Sequence, residues 1–105
     1  MHLKFDLGQI LATPGALSAL EQYGIRPLQL LARHAMGDWG SVCSDDAKLN
    51  DEAVQSGGRV LSSYEISPQC IVWIITEAAS ETDDTSHDPQ LPQRSCTTIL
   101  LPSEY

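Results

Sequence analysis

The feature that most constrains the fold of this chain is one apolar run, Ile71-Val72-Trp73-Ile74-Ile75. Five residues are far fewer than the roughly 20 that a helix needs to cross a bilayer, so we expect no membrane segment here. The surrounding residues 70–77 are apolar at both odd and even positions, which is typical of a strand covered on both faces. The run therefore predicts the central strand of a small sheet.

Three further segments show the alternation expected of partner strands. Residues 60–66 alternate in polarity and lead into the central strand through the turn Ser67-Pro68-Gln69. Residues 95–101 are rich in Thr and Ile and predict a third strand. Residues 3–7 alternate in the same way and end at Gly8, so they are a possible fourth strand at the sheet edge. The simplest connection of the first three strands is an antiparallel meander.

Two short helices are predicted ahead of this β-rich half. Thr13 and Pro14 are typical of an N-cap and a first helical position, and Gly24 is typical of a helix end. A second helix is predicted from Pro27 to Gly37. Because the connection between the two helices is so short, they are expected to pack as an αα-corner.

A third helix is predicted with Ser44 as its N-cap and with Gly57-Gly58 as its end. Asp45 and Asp46 would lie in its first turn, where the helix dipole favours negative charge, and its thin apolar stripe makes it peripheral. The chain is therefore predicted to be an α+β protein. Two or three short N-terminal helices would pack on a three- to four-stranded, mainly antiparallel sheet, in a single domain of residues 1–105.

The corner Gly37-Asp38-Trp39-Gly40, preceded by His34, is the most distinctive chemical feature of the chain. Histidine titrates near neutrality and a carboxylate can orient it, so His34 and Asp38 are weak candidates for acid–base catalysis. Glu77 and Arg94 would join them if all four side chains met at one end of the sheet. Otherwise Glu77 and Arg94 would face each other as a structural pair across two strand ends.

The same corner also has a purely architectural interpretation. Gly37 would end the second helix, Asp38 would bond backbone amides, and Gly40 would adopt a positive φ. Trp39 would fill the core, or, as the alternative, would contribute to a binding site.

No metal or cofactor is predicted from the sequence. The three histidines are widely separated, no Cys-x-x-Cys pair exists, and neither a Walker loop nor a dinucleotide fingerprint occurs. Cys43, Cys70 and Cys96 cannot all pair, so they are expected to be buried, reduced thiols. A reactive Cys43 activated by His34 is the alternative.

The charge of the chain restricts its partners. With 14 acids against 6 Lys and Arg the net charge is −8, so direct binding to nucleic acid or to anionic lipid is not expected. Such a surface can instead bind a basic protein surface, including a groove that normally holds nucleic acid. Residues 78–94 are predicted to form a flexible acidic loop. Its candidate binding residues are Glu81, Asp83, Asp84 and Asp88.

Several motifs together resemble those of a known family. They are Leu30-Leu31-Ala32-Arg33-His34, Gly37-Asp38-Trp39-Gly40, Asn50-Asp51, Arg59-Val60-Leu61-Ser62-Ser63-Tyr64, Val72-Trp73-Ile74-Ile75-Thr76-Glu77 and Thr97-Thr98-Ile99-Leu100-Leu101-Pro102-Ser103-Glu104-Tyr105. This series is similar to that of small, uncharacterised proteins carried by bacterial plasmids and integrative elements, often labelled plasmid-related proteins. Residues 79–93 depart from the family pattern, because they look like an insertion in a turn that is short in its members.

The resemblance and the charge lead to three hypotheses for the function. The first is a cytoplasmic, non-enzymatic protein of a mobile genetic element that inhibits a host defence complex, of the anti-CRISPR or anti-restriction type. The second is a small enzyme or toxin-like protein that uses His34 and Asp38. The third is a homo-oligomeric structural module that pairs through a sheet edge, since the sequence leaves the oligomeric state open.

Overall fold

The computed structural model describes residues 4–79 and 94–105, and within them the protein is an α+β fold, as predicted. Its helices and strands follow one another in this order: β1 (Gln9–Ala12), α1 (Pro14–Gln22), α2 (Pro27–Ala35), α3 (Ser44–Ser56), β2 (Val60–Ser67), β3 (Cys70–Thr76) and β4 (Cys96–Leu100). A 3-10 turn, Pro102–Glu104, follows β4. None of the helices in the described residues has the length and apolar character needed to cross a membrane.

The four strands form one mixed sheet in the order β1-β4-β3-β2. The strands β2, β3 and β4 form the predicted antiparallel meander, whereas β1 pairs with β4 in parallel. The apolar run around Trp73 lies in β3, between β2 and β4, so its prediction as a central strand is confirmed. The parallel pairing of β1 was not predicted, because strand direction at the edge depends on where the chain enters the sheet.

The predicted N-terminal strand over residues 3–7 is wrong. The strand begins only after Gly8, and Phe5 is instead fully buried beside the rings of His34 and Trp39. Gly8 has a φ of +64°, and a Cβ on it would collide with the backbone of Arg94 and Ser95. The alternation of this segment therefore reflects one buried aromatic side chain in an irregular segment, and the glycine turns the chain into β1.

The helix ends follow from local sequence, with one correction. Thr13 is the N-cap of α1 and accepts a hydrogen bond from the backbone N–H of Ala16 at 3.2 Å, as predicted. Gly57 ends α3 in the left-handed conformation. Ser44, however, is the first residue of α3 and not its N-cap. Cys43 occupies that position without a capping side-chain bond.

Two clusters of buried side chains hold the layers together. The larger cluster joins α1 and α2 to one face of the sheet and consists of Ala16, Leu20, Leu30, Leu31, Tyr64, Val72, Ile74 and Ile99. The smaller one joins the N-terminal segment and α3 to the start of β2, through Phe5, Trp39, Ala53 and Val60. Full burial of one large apolar side chain contributes about 1.5–3 kcal/mol, so these clusters supply most of the driving force for folding.

Candidate functional site

His34 lies inside a chain of buried hydroxyl groups and has no solvent exposure. Its Nδ1 is 2.6 Å from Ser62 Oγ, and its Nε2 is 2.8 Å from Thr76 Oγ1. Thr76 Oγ1 is in turn 2.7 Å from Thr97 Oγ1, and Thr97 donates to the carbonyl oxygen of Leu7 at 2.6 Å. Both ring nitrogens are therefore occupied by partners from the sheet.

This chain of hydroxyls determines the tautomer of His34. A carbonyl oxygen only accepts, so the Thr97 hydroxyl must donate its hydrogen bond to Leu7. Thr97 Oγ1 must then accept a hydrogen bond from the Thr76 hydroxyl. Thr76 must then accept from His34 Nε2, which carries the ring proton. Nδ1 is left as the acceptor for the hydroxyl of Ser62. The order of donors is satisfied throughout by a neutral imidazole.

Burial also opposes protonation of this ring. Loss of solvation and, second, the positive charge of Arg94 lower the pKa of His34 to about 3. The edges of Phe5 and Trp39 complete its surroundings, with ring centroids 5.1 and 5.9 Å from that of His34. At neutral pH His34 is an uncharged core residue, inaccessible to a substrate.

Asp38, the proposed catalytic partner, is engaged elsewhere. Its Oδ2 accepts from Arg33 Nε at 2.7 Å, and its Oδ1 accepts from the backbone N–H of Gly40 at 3.1 Å. The bond to Arg33, and then that to Gly40, hold the pKa of Asp38 below its usual value. Its backbone carbonyl accepts from the Tyr64 hydroxyl at 2.6 Å. Asp38 therefore organises the corner, as its architectural interpretation predicts, and does not orient His34.

The corner itself extends the sheet beside β2. Trp39 is only 6% exposed and donates from Nε1 to Asp51 at 3.0 Å, so it is a core residue in this structure and not an exposed binding group. The backbone N–H of Ser63 donates to the carbonyl of Trp39 at 3.1 Å, and Ser41 N–H donates back to Ser63 at 2.7 Å. Gly40 has a φ of +75°, and a Cβ there would collide with the Ser63 carbonyl.

Arg94 is a buried cation that was not anticipated in this role. Its guanidinium donates to three backbone carbonyls: Ala53 at 2.9 Å, Gly58 at 2.5 Å and Glu77 at 3.1 Å. It thus ties the end of α3, the following loop and the end of β3 together. The predicted acid–base pairing of Glu77 with Arg94 is not seen, because Arg94 bonds the backbone carbonyl of Glu77 and not its carboxylate. Burial lowers the pKa of Arg94.

A second unanticipated residue, Asn50, closes the outer edge of β2. Its side-chain amide donates to the carbonyl of Leu61 at 2.7 Å and accepts from the Leu61 N–H at 3.2 Å. The amide therefore replaces a neighbouring strand at this position. The only sequence signal for this role is an asparagine near the centre of an amphipathic helix, and that signal is not specific.

The exterior near α3 carries a cleft and an exposed aromatic cluster. The cleft, about 240 Å³, is lined by Asp46, Leu49, Asn50, Arg59 and Leu61. The Arg59 guanidinium lies over the Tyr105 ring, 5.2 Å from its centroid, and that ring meets Trp73 edge-on at 5.7 Å. We call this continuous region, formed by Asp46, Leu49, Arg59, Leu61, Trp73 and Tyr105, the Arg59 surface.

The cysteines are less buried than predicted. Cys43 is exposed, Cys70 and Cys96 are partly buried, and all three are free thiols. Since both nitrogens of His34 bond hydroxyls of the sheet, His34 does not activate Cys43. Among residues 4–79 and 94–105 no three His, Cys, Asp or Glu side chains group as a metal site.

The predicted acidic binding residues Glu81, Asp83, Asp84 and Asp88 lie outside the described residues, as does most of the predicted loop 78–94. At the described ends of that segment, Ala79 and Arg94 form an isolated antiparallel bridge.

Comparison of the chain with known protein families, with curated proteins and with solved structures finds no match.

Proposed function

We propose that this chain is a non-enzymatic interaction protein that binds another protein through the Arg59 surface and the acidic exterior of α3. The observation that carries the proposal is the exposed Arg59–Tyr105–Trp73 cluster beside an open cleft. Tyr105 is 67% exposed although its ring is already ordered by contacts on Arg59 and Trp73. Trp, Tyr and Arg dominate binding energy in protein interfaces, and side chains ordered in advance lose little entropy on binding.

The charge distribution indicates the chemistry of the partner. Helix α3 carries four exposed acids and one lysine, Lys48. The acids are Asp45, Asp46, Asp51 and Glu52. Leu49 lies among them and is 60% exposed. An apolar side chain ringed by carboxylates is complementary to an apolar pocket in a basic surface, since opposite potentials speed encounter and exclude wrong partners.

The interior supports a binding function over a catalytic one. His34 is fully buried, with both ring nitrogens bonded and a pKa lowered to about 3. A general acid or base must reach the proton it transfers and titrate near the working pH, and His34 meets neither condition. The alternative of an enzyme using His34 and Asp38 therefore lacks its acid–base pair.

The finer proposal concerns the identity of the partner. The resemblance to plasmid-related proteins and the net charge of −8 favour a host defence complex, such as a CRISPR effector or a restriction enzyme, with a basic groove made for nucleic acid. An acidic protein that occupies such a groove inhibits by competing with the nucleic acid for the same charges. This assignment of the partner rests on the resemblance and the charge alone.

A bacterial interference assay tests the proposal. Cells that carry a CRISPR or restriction system are challenged with a targeted plasmid while they express the wild type, the double variant R59A/Y105A or Leu49→Asn. Leu28→Asn on α2 is the matched control, because Leu28 is also an exposed helical leucine, at 66%. We expect the wild type and the control to protect the plasmid and the Arg59-surface variants to lose protection.

The same variants are then measured with the purified complex. Because arginine and tyrosine contribute strongly to binding energy in interfaces, we expect a roughly tenfold or greater rise in Kd for R59A/Y105A. If both Arg59-surface variants bind with unchanged Kd and have unchanged thermal stability, the complex does not bind through this surface. If the wild type protects the plasmid against neither a CRISPR system nor a restriction system, the assignment of a defence complex as the partner is overturned.

A further inference from the structure

The outer edge of β1 carries backbone groups that nothing in the described residues pairs. Gln9 N–H donates to Ser95 at 3.0 Å and Thr13 N–H donates to Ile99 at 2.9 Å, so alternate residues of β1 face β4. In a parallel ladder the residues between them face the other way, which directs the N–H and C=O groups of Ile10 and Ala12 outward. These four groups form an open edge.

The two edges of the sheet are treated differently. The β2 edge is closed at Leu61 by the amide of Asn50 and at Ser63 by the Gly40 bridge. An open edge is normally protected by a charge, a proline or a bulge. β1 has none of these: its sequence is Gln-Ile-Leu-Ala and its register with β4 is regular. Ile10 and Leu11 are moreover 44% and 42% exposed.

We infer that two copies of this chain pair antiparallel through β1 and form one continuous eight-stranded sheet. Only Ile10 and Ala12 have outward backbone groups, and one symmetric register uses all of them. Ile10 exchanges both hydrogen bonds with the partner's Ala12, and Ala12 does so with the partner's Ile10. Leu11 then lies on the twofold axis opposite the partner's Leu11, in a closely spaced, non-hydrogen-bonded pair.

The side chains and the charge both suit a second copy as the occupant. A large side chain, Ile10, meets a small one, Ala12, on one face, and the two leucines meet on the other. Residues 7–20 carry no charged side chain, so this is a stretch where two chains of net charge −8 can approach with little repulsion. Two carboxylates reach this stretch: Glu104 accepts from the Thr13 hydroxyl at 2.5 Å, and Asp6 accepts from the backbone N–H of Gly8 at 3.3 Å.

The size of the contact sets its strength. A four-residue strand buries far less than the roughly 800 Å² per partner of a standard stable interface. The pairing is therefore a weak, reversible dimer, and added salt strengthens it by screening the repulsion between acidic chains. Since β1 and β2 are at opposite edges of the sheet, the dimer leaves the β2 edge of each copy free, and the inference does not rest on the proposed docking function.

Thiol cross-linking tests the register. In a background in which Cys43, Cys70 and Cys96 are replaced by Ser, Leu11→Cys places two thiols on the axis, where Cβ atoms are about 4.5–5.5 Å apart. That spacing permits a disulfide after a small adjustment. Gln9→Cys is the matched control on the same face of β1, because its two copies would be about 13 Å apart in this register. We expect a disulfide dimer from Leu11→Cys and none from Gln9→Cys.

Sedimentation over a concentration and salt series provides the second measurement. We expect a dissociating dimer for the wild type, more dimer at higher salt, and a monomer with unchanged thermal stability for Ile10→Lys. Cross-linking of Gln9→Cys in preference to Leu11→Cys would overturn the register. A wild type that stays monomeric to about millimolar concentration, with no cross-link from Leu11→Cys, would overturn the dimer. That result would not bear on the proposed docking through the Arg59 surface.

Discussion

The buried network around His34 and the Arg59 surface both contain side chains that can form hydrogen bonds, but they differ in how much of that bonding capacity is already used. Both ring nitrogens of His34 are bonded to hydroxyls, and the hydroxyl protons of Ser62, Thr76 and Thr97 are used within this network or on the carbonyl of Leu7. On the Arg59 surface, an arginine, a tyrosine and a tryptophan are ordered but remain open to a partner. Residue type therefore identifies candidates, whereas exposure and unused bonding capacity decide which of them can act on another molecule.

The largest loss of stability is expected when the buried cation Arg94 is removed. Arg94→Met leaves the carbonyls of Ala53, Gly58 and Glu77 without this donor. Because three hydrogen bonds to a charged group are lost, we expect a decrease of about 3–5 kcal/mol in the free energy of unfolding, measured by urea denaturation. Arg33→Met is the matched control, because Arg33 is 48% exposed and should cost about 1 kcal/mol or less. Similar losses for the two variants would contradict the structural role of Arg94.

The next largest effect is the dependence of stability on pH. The folded pKa of His34, about 3, lies below the unfolded value of about 6.5. The unfolded state therefore binds a proton first as the pH falls. Stability from this group is complete above about pH 6.5 and decreases by about 1.4 kcal/mol per pH unit toward pH 3, or roughly 2–3 kcal/mol between pH 6.5 and 4.5.

The variant His34→Gln isolates this contribution, because glutamine keeps hydrogen-bonding capacity but does not titrate. Unfolding curves are compared for the wild type and the variant across the same pH range, and the difference in slope is assigned to His34. Parallel slopes above about pH 4.5 would show that His34 does not carry the predicted linkage. The carboxylates with lowered pKa, Asp38 and Glu104, lose their contributions at lower pH and are common to both proteins.

The smallest effect is expected at the exposed corner. Asp38→Asn removes the charge that pairs with Arg33, where both side chains are about half exposed, at 48% and 51%. Asparagine can still accept from the Gly40 N–H, so the expected loss is below about 1 kcal/mol. Thermal unfolding of Asp38→Asn and of R59A/Y105A, both near wild type, would sharpen the contrast with Arg94. A loss comparable with that of Arg94→Met would place Asp38 in the core network instead.

The site could be predicted only in part from the sequence. Gly37 and Gly40 correctly indicated a structured corner, because glycines and a helix end are local signals. The partners of His34 are Ser62 and Thr76, which are far away in the chain and meet it only when the meander packs on α2. The stacking of Arg59 on Tyr105 is likewise a contact between distant segments.

The features that the amino-acid sequence predicts correctly are local or periodic. The cap at Thr13, the end of α3 at Gly57 and the central position of β3 follow from dihedral preferences and from the alternation of polarity. Only the tertiary structure decided that Phe5 is buried, that β1 starts after Gly8 and runs parallel to β4, and that the interior takes up His34 and Arg94. The physical reason is that direction, burial and satisfaction of polar groups depend on distant partners, and no local pattern encodes which carbonyl or hydroxyl will be within reach.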